Sequence, residues 1–282
     1  MEVDSKKSYQ PPVDKLLTCG VDAVNDWITL NQWPDYREFG IGPEHIPELI
    51  QMATDEELHD ADAQSAEVWA PMHAWRALGQ LRAVEAVEPL LELFDRLEYD
   101  DWVHEELPDV FGMIGPAALP VLAEYIADLS HTDSSRISAI SGIKNIGKRW
   151  PDTRGESVAL LEERLRRFEE NEPDVNGFLV LALVEMGARE AVPVIERAFD
   201  EGYVDPIVMG DWDDVQVELG LKSAEEVAQK RASEQEKRQL PSTSAEGTFL
   251  PVFSKVAHKE RAAHKKAKNK MAKQSRKKNR KR

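Results

Sequence analysis

The sequence predicts an all-α protein in which pairs of helices stack into an α-solenoid. Apolar residues recur at helical spacing in several stretches, and a glycine recurs at intervals of 33, 35 and 40 residues. The sequence contains no sustained alternation of apolar and polar residues, the pattern that would indicate a β-strand. A chain of 282 residues, 41% apolar and 31% charged, can bury a sizeable core. Composition and periodicity therefore agree on a helix-rich globular body.

Four stretches of the chain share one pattern: an apolar helix that ends near a glycine, a short link and a second apolar helix. The stretches begin at His73, Leu107, Ser141 and Ala182, and their glycines are Gly79, Gly112, Gly147 and Gly187. We expect each glycine to end the first helix in the left-handed conformation, which lacks a Cβ clash. Prolines follow near the starts of the second helices, where unpaired N–H groups make them tolerable. These are Pro89, Pro120 and Pro193.

The apolar residues of each helix fall on one face. In the first unit this face comprises Val68, Met72, Trp75, Leu78 and Leu81; in the second, Val103, Leu107, Val110, Phe111 and Ile114; in the third, Ile137, Ile140, Ile143 and Ile146. One helix pair cannot bury both sides of such a face. Stacking of neighbouring pairs must supply the core.

Two segments carry a resemblance to a known family. "RALGQLRAVEAVEPLLELF" from Arg76 and "EMGAREAVPVIERAF" from Glu185 resemble HEAT repeats of the short bacterial type named for phycobilisome lyases. The resemblance covers roughly residues 42–200, and its middle copies are degenerate. It implies a HEAT-like α-solenoid of about four to five helix pairs that serves as a binding surface. A minority of such repeat proteins are enzymes.

The ends of the chain differ from the repeats, which divides the sequence into four parts. They are an N-terminal capping segment (1–40), HEAT-like repeats (41–202), a C-terminal cap with a polar helix (203–240), and a linker with a disordered basic tail (241–282). A short helix is expected at Val13–Cys19. The aromatic residues Trp27, Trp33, Tyr36 and Phe39 are expected to cover the open end of the first repeat. Ser223 and Glu226 form a capping-box pattern that begins the polar helix.

Charge is strongly divided along the chain, whose formal net charge is -16. Residues 255–282 hold 14 Lys or Arg and one acid, +13, so the other residues hold 22 basic and 51 acidic side chains, -29. A basic tail attracts anions, and the two candidates are RNA, including ribosomal RNA, and the acidic body itself. A membrane surface fits less well, because Met271 is the single large apolar residue in the final run. The anion-binding residues are expected to be Lys265, Lys266, Lys268, Lys270, Lys273, Arg276, Lys277, Lys278, Arg280, Lys281 and Arg282.

Localisation is expected to be cytoplasmic. No apolar run approaches the roughly 18–20 residues that span a bilayer, and the first residues lack the apolar region of a secretory signal. The single cysteine, Cys19, has no partner for a disulfide or a zinc site.

A polar face recurs in two successive units, opposite the apolar stripe. Trp69, His73, Arg76 and Gln80 have spacings of 4, 3 and 4, and Trp102, Glu106, Asp109 and Met113 repeat them one unit later. Equivalent positions of stacked units line up, so the two tryptophans are expected to be neighbours. We predict a partner-binding surface on the concave side of the solenoid, formed by Trp69, His73, Arg76, Trp102, Glu106 and Asp109. The alternative is that the tryptophans pack under the N-terminal segment or a loop.

Signatures of catalysis are weak. Deoxyhypusine hydroxylase is built from similar repeats and holds two irons through several His-Glu dyads, whereas this chain has one, His104-Glu105. The acidic stretch from Asp211 fails as a calcium loop, because Gln216 stands where glycine is needed and Lys222 where glutamate is needed. Asp211 is expected to cap a helix instead. Cys19 is expected to be a structural thiol.

The sequence favours a non-enzymatic protein-interaction adaptor or scaffold, with no cofactor and no metal. One alternative is an RNA- or ribosome-associated factor that binds through the basic tail. Another, implied by the resemblance, is a phycobilin lyase or chromophore chaperone that holds an open-chain tetrapyrrole in a groove beside Trp69, His73, Arg76 and Trp102. No separate lyase signature accompanies the repeats.

Overall fold

The computed structural model describes residues 8–20 and 33–239, with side chains described up to residue 235. All regular structure in this part of the chain is helical, with thirteen α-helices, short 3-10 helices and no β-strand. The predicted all-α class is therefore confirmed. The chain divides into two compact units, residues 1–229 and residues 230–282. Trp27 and the basic tail lie outside the described residues, and the prediction of a disordered tail stays a prediction.

Four helix pairs form the repetitive part of the fold. Before them come α1 (Ile46–Ala53) and α2 (Glu56–His59). The pairs are α3 (Ala70–Leu81) with α4 (Val87–Arg96), α5 (Asp101–Ile114) with α6 (Leu119–Ala127), α7 (Asp133–Arg149) with α8 (Arg154–Leu165), and α9 (Pro173–Glu185) with α10 (Val192–Asp200). After them come α11 (Pro206–Met209), α12 (Trp212–Glu218) and α13 (Ala224–Gln239). The first helices of the pairs contact each other in order, α3 with α5, α5 with α7 and α7 with α9, as stacked units require.

The predicted apolar stripes form the core between the helices. Met72, Trp75 and Leu78 of α3 are buried, while Val68 and Leu81 at its ends are half-buried. The buried side chains of α5 and α7 include Val103, Leu107, Val110, Phe111, Ile140, Ile143 and Ile146. Burying one such large side chain contributes about 1.5–3 kcal/mol, so the stacking contacts dominate the stability of the array.

The second helices begin as the sequence predicts. A 3-10 turn precedes each of them, at Val84–Ala86, Pro116–Ala118, Pro151–Thr153 and Arg189–Ala191. Pro89, Pro120 and Pro193 all lie in the first turn of their helices, where the missing N–H leaves no hydrogen bond unmade.

The recurrent glycines do not have the role that their position predicts. Gly187 alone among the four has a left-handed conformation, with φ of 64°. Gly79, Gly112 and Gly147 lie inside α3, α5 and α7, so the prediction that they end these helices is wrong. Helix α3 ends at a left-handed residue that is not glycine, Arg82, with φ of 55°.

Close approach between neighbouring helices explains these glycines instead. A Cβ on Gly112 would lie 3.0 Å from Asn145 Cβ in α7. A Cβ on Gly147 would lie 2.7 Å from Met186 Sδ and 2.9 Å from Ser157 Cβ. Each glycine therefore lets its helix press against the next unit. At Gly112 and Gly147 the period therefore reflects close packing between helices, whereas a Cβ on Gly187 would meet nothing within 4 Å.

Irregular segments cover both ends of the repeats. The short N-terminal helix is a 3-10 helix, Val13–Thr18, whose Val13 and Leu16 are fully buried and which contacts α3. At the other end α11 packs on α9, and Val215 of α12 is buried. Segments outside the repeats therefore pack on the first unit and on the last one.

Two predicted helix caps are confirmed. The Asp211 carboxylate accepts a hydrogen bond from the backbone N–H of Asp214 at 3.2 Å, which begins α12. Ser223 Oγ accepts from the N–H of Glu226 at 3.2 Å, and Glu226 Oε2 accepts from the N–H of Ser223 at 2.7 Å, which begins α13. The acidic stretch from Asp211 is therefore a helix start.

Among the described residues no single helix has the length and apolar character to cross a membrane. The bent pair Asp101–Ile114 and Pro116–Ala127 meets those criteria jointly, with an angle of 114° between its halves. Val103, Leu107 and Leu122 of this pair are fully buried in the protein core.

We predict that Gly147→Ala destabilises the fold by about 1–3 kcal/mol, because the new methyl group would overlap the rigid Cβ of Ser157. Gly155→Ala is the matched control: Gly155 is exposed in α8, and a Cβ there meets nothing within 4 Å. The control should raise stability by up to about 1 kcal/mol, since alanine favours helix. Urea unfolding followed by circular dichroism measures both. Equal effects of the two substitutions would contradict the packing role of Gly147.

Candidate binding surface

Helix α3, which carries two of the six predicted partner-surface residues, is enclosed from Ala70 to Gly79. Every residue from Ala70 to Gly79 is buried, including His73 and Arg76, whose exposed fractions are 0% and 1%. The expectation that these two side chains face outward is wrong. The physical reason is the N-terminal segment, which lies against the polar face of α3 and removes it from solvent.

The N-terminal segment is attached to α3 through hydrogen bonds to His73 and Gln80. His73 Nδ1 lies 2.7 Å from Tyr36 Oη, and His73 Nε2 lies 3.2 Å from the carbonyl oxygen of Gly20. A carbonyl accepts only, so Nε2 carries the hydrogen and the Tyr36 hydroxyl donates to Nδ1. Gln80 accepts from the N–H of Tyr36 at 3.0 Å and donates to the carbonyl of Pro34 at 2.7 Å. Burial lowers the pKa of His73 to about 4, so its ring is neutral near pH 7.

Arg76 and Glu106 form a buried ion pair between α3 and α5. Arg76 Nε donates to Glu106 Oε2 at 2.8 Å, and Arg76 Nη2 donates to Glu106 Oε1. Trp75 Nε1 donates to the same carboxylate at 3.0 Å. The guanidinium also stacks over the Trp33 ring, 4.7 Å from its centroid. This bidentate pair binds two units of the protein together, so both side chains are already engaged within the fold.

Asp109 belongs to the same system of contacts between units. It accepts a hydrogen bond from Asn145 Nδ2 of α7 at 2.7 Å, and burial raises its pKa. One unit later Lys144 Nζ lies 3.3 Å from a carboxylate oxygen of Glu185 in α9. Arg76, Asp109 and Lys144 each lie three residues before the glycine of their unit, and each contacts the next first helix. The polar periodicity of the sequence therefore corresponds to a ladder of polar contacts between units.

Trp69 and Trp102 are neighbours, as the spacing of the units predicts. Their rings meet edge to face, with centroids 5.7 Å apart and planes at 81°. Trp69 directly precedes α3, Trp102 is the second residue of α5, and both side chains are half-buried. The 3-10 helix Val13–Thr18 contacts the turn Glu67–Trp69, so packing under the N-terminal segment accounts for part of the burial of Trp69. The rest of each ring remains accessible.

One edge of the repeat is acidic. We call it the inter-unit edge and define it as the segments that lead into successive first helices, beginning with the one after α1: residues 54–69, 97–100, 128–132, 166–172 and 201–205. These segments contain 14 acidic residues and two basic ones, Arg166 and Arg167. The links inside the units, residues 82–86, 115–118, 150–153 and 186–191, contain three acidic and two basic residues. The acidic character is therefore specific to the inter-unit edge.

Polar contacts tie the first three segments of the inter-unit edge together. Arg96 Nη2 at the end of α4 donates to the carbonyl of Thr54 at 2.8 Å. The carboxylate of Asp95 accepts from Tyr125 Oη at 2.7 Å and from His131 Nδ1 at 2.6 Å. The His131 and Tyr125 rings are stacked, with centroids 3.7 Å apart.

A buried network joins the remaining segments. Arg136 Nε donates to the carbonyl of Ile126 at 3.1 Å, and Arg136 Nη2 donates to Asn171 Oδ1 at 2.6 Å. Asn171 Nδ2 donates to Asn176 Oδ1 at 2.7 Å, and Asn176 Nδ2 donates to the carbonyl of Tyr203 at 2.8 Å. The inter-unit edge is therefore held in one arrangement along all its segments.

Two large apolar side chains project from the inter-unit edge. Tyr99, in the segment before α5, has an exposed fraction of 79%, and Leu129, in the segment before α7, has one of 53%. Sequence reasoning missed both, because neither belongs to a helical stripe. The inter-unit edge itself could have been found in the sequence from the excess of acidic residues in the segments between the helix pairs.

His104 and Cys19, which are candidates for chemistry by sequence, both make contacts within the fold. The ring of His104 stacks on Phe94 with centroids 5.4 Å apart, and its Nδ1 lies 2.8 Å from Ser138 Oγ. Burial raises the pKa of the half-buried Cys19 thiol, as befits a structural cysteine. Within residues 8–20 and 33–239, no three His, Cys, Asp or Glu side chains are placed to hold a metal ion.

Two residues of the predicted pigment groove, His73 and Arg76, are covered by the N-terminal segment. A shallow hollow of about 410 Å³ lies between α9, α11 and α12, with Leu181, Val184 and Met209 in its wall. Another of about 470 Å³ lies between α8 and α10, beside Arg166 and Arg197.

We predict that Arg76→Leu and Glu106→Leu each destabilise the protein by about 3–5 kcal/mol, because each leaves a buried charge without its partner. The double variant should lower the free energy of unfolding by less than the sum of the two single effects. The difference is a coupling free energy of about 0.5–3 kcal/mol. Urea unfolding of the four proteins measures this cycle. Purely additive effects would contradict a direct interaction.

We predict that acid weakens the attachment of the N-terminal segment. Unfolded chains protonate His73 below about pH 6.5, whereas the folded protein resists protonation down to about pH 4. Stability from this group therefore falls as the pH drops through that window, by at most about 1.4 kcal/mol per pH unit. His73→Gln should make unfolding free energy less dependent on pH between 6.5 and 4. His59 and His104, whose pKa values burial also lowers, are present in both proteins and cancel in the difference. If the free energy of unfolding kept the same dependence on pH in His73→Gln, the role of His73 in the acid effect would be refuted.

Comparison with known proteins places the first repeat in a family. Residues 74–96, which span most of α3 and all of α4, match the family described as the PBS lyase HEAT-like repeat. No curated protein matches the chain significantly, and no solved structure does. The chain therefore carries a PBS lyase HEAT-like repeat at residues 74–96, within a described body that is an all-α, HEAT-like repeat solenoid.

Proposed function

We propose that this protein is a non-enzymatic interaction adaptor, and that its binding surface is centred on the Trp69–Trp102 pair. That pair is the observation that carries the proposal. Tryptophan is enriched among the residues that dominate binding energy, because its large ring gains much from desolvation. Here two rings lie in contact at the junction of two units while keeping part of their surface accessible.

The other predicted surface residues have a supporting role in this proposal. Arg76 and Glu106 fix α3 against α5, His73 holds the N-terminal segment, and Asp109 fixes α5 against α7. They set the relative position of the two tryptophans without touching a partner. A surface held rigid before binding loses little conformational entropy when a partner arrives, which favours affinity.

We predict that Trp69→Ala combined with Trp102→Ala abolishes capture of the partner proteins that the full chain retains from native cell extract. Glu105→Lys tests the same surface without removing core contacts, since Glu105 is exposed on α5 one turn after Trp102. It should also weaken capture by reversing a charge beside the pair. Glu92→Lys, at an exposed site on α4, is the matched control and should leave capture intact. Unchanged capture by both surface variants would overturn the proposal.

A second candidate is an RNA- or ribosome-associated factor, favoured by the charge of +13 in residues 255–282. Lysine and arginine bind phosphates by releasing counterions, so such binding falls steeply with salt. We predict for this function that RNA is retained by the full chain at low salt, and lost at moderate salt or from a chain that ends at Thr248. Protein partners held equally by both chains, without RNA, would favour the adaptor.

A further inference from the structure

We infer, on the basis of the adaptor function proposed above, that the partner presents a polypeptide segment in which basic residues alternate with apolar ones. The segment would lie along the inter-unit edge, from the Trp69–Trp102 pair past Tyr99 to Leu129.

The apolar component rests on a row of side chains. The Trp69–Trp102 pair, Tyr99 and Leu129 occur in successive segments of the inter-unit edge or directly beside them. Isolated apolar side chains on a surface are ordinary, but side chains contributed by successive units can be reached by one extended segment. The hydrogen bond from His131 to Asp95 joins the loop of Leu129 to the last turn of α4, four residues before Tyr99. The row is therefore fixed in place.

The basic component rests on charge complementarity. The inter-unit edge has 14 acidic residues and two basic ones. Glu56, Glu57, Asp60 and Asp62 are exposed in its first segment, which leads to Trp69. An anionic partner, including nucleic acid, is repelled here, while lysine and arginine side chains are attracted.

The need for apolar residues separates such a partner from the chain's own basic run. Residues 265–282 contain a single large apolar side chain, Met271. That run is complementary in charge to the inter-unit edge, but it lacks the apolar side chains that Tyr99 and Leu129 would contact. A segment of another protein that interleaves leucine or valine with lysine or arginine satisfies both requirements.

The test measures binding of a fluorescent peptide of repeated Leu-Lys-Lys-Leu units to the full chain by anisotropy. Tyr99→Ala with Leu129→Ala should weaken binding about tenfold, since two exposed apolar contacts are lost. Val84→Ala with Leu221→Ala is the matched control: these side chains are exposed by 45% and 42% outside the inter-unit edge, and the affinity should not change.

Charge variants locate the electrostatic contribution. Asp60→Asn with Asp62→Asn should weaken binding severalfold, whereas Glu88→Gln with Glu92→Gln, exposed on α4, should not. All substituted side chains are exposed, and circular dichroism verifies that each variant is folded.

Three outcomes would overturn the inference. They are equal binding of a Leu-Glu-Glu-Leu peptide, equal effects of the surface and control variants, and equally tight binding of the peptide Lys265–Arg282, which would reduce recognition to charge. If the Leu-Lys-Lys-Leu peptide does not bind while the tryptophan variants still lose a captured protein, the adaptor function stands and the partner chemistry inferred here is wrong.

Discussion

Close stacking of one first helix on the next is the constraint on which the rest of this structure depends. A single helix pair leaves apolar surface on both sides, so each unit must press against its neighbours to complete a core. Gly112 and Gly147 permit that approach, because a Cβ there would meet Asn145 of α7 at 3.0 Å or Met186, directly after α9, at 2.7 Å. A helix with neighbours on several sides has little solvent-facing surface left. Polar side chains on such a helix must therefore find partners inside the protein.

The buried Arg76–Glu106 pair follows from that constraint. Its desolvation cost is large, and apolar residues of similar size would give comparable stability. The pair selects one alignment of α5 on α3, because a shift of α5 along α3 by one turn would leave two charges buried and unpaired. Asp109 with Asn145, and Lys144 with Glu185, repeat this arrangement in later units with weaker partners. The ladder thereby fixes the alignment of units that apolar contacts alone would define loosely.

The sequence predicts the fold well and the binding surface only in part, for identifiable reasons. Apolar stripes and the recurrent glycine specify stacked helix pairs, since both depend on local spacing. The same glycine spacing fits a helix end or a close approach, and only tertiary structure separates the two. His73 and Arg76 occupy a regular polar face that would be exposed in an isolated repeat. Their burial depends on Trp33 and Tyr36, which lie at least 37 residues away in the chain. Tyr99 and Leu129 lack any periodic signature, so their prominence emerges only once the loops are assembled.

The acidity of the inter-unit edge has a structural origin that also determines what it can bind. All four first helices begin at this edge, and the positive ends of their dipoles favour carboxylates there. Asp100 accepts a hydrogen bond from the backbone N–H of Trp102 at 2.9 Å, at the start of α5. Asp205 accepts one from the N–H of Ile207 at 2.9 Å, at the start of α11, which follows the last segment of the edge. These hydrogen bonds stabilise the two carboxylates locally, and both helices begin at the inter-unit edge. Helix initiation thus contributes carboxylates to the inter-unit edge beside the half-buried tryptophans. The chemistry of any partner at this edge is set by the same repeat geometry that holds the units together.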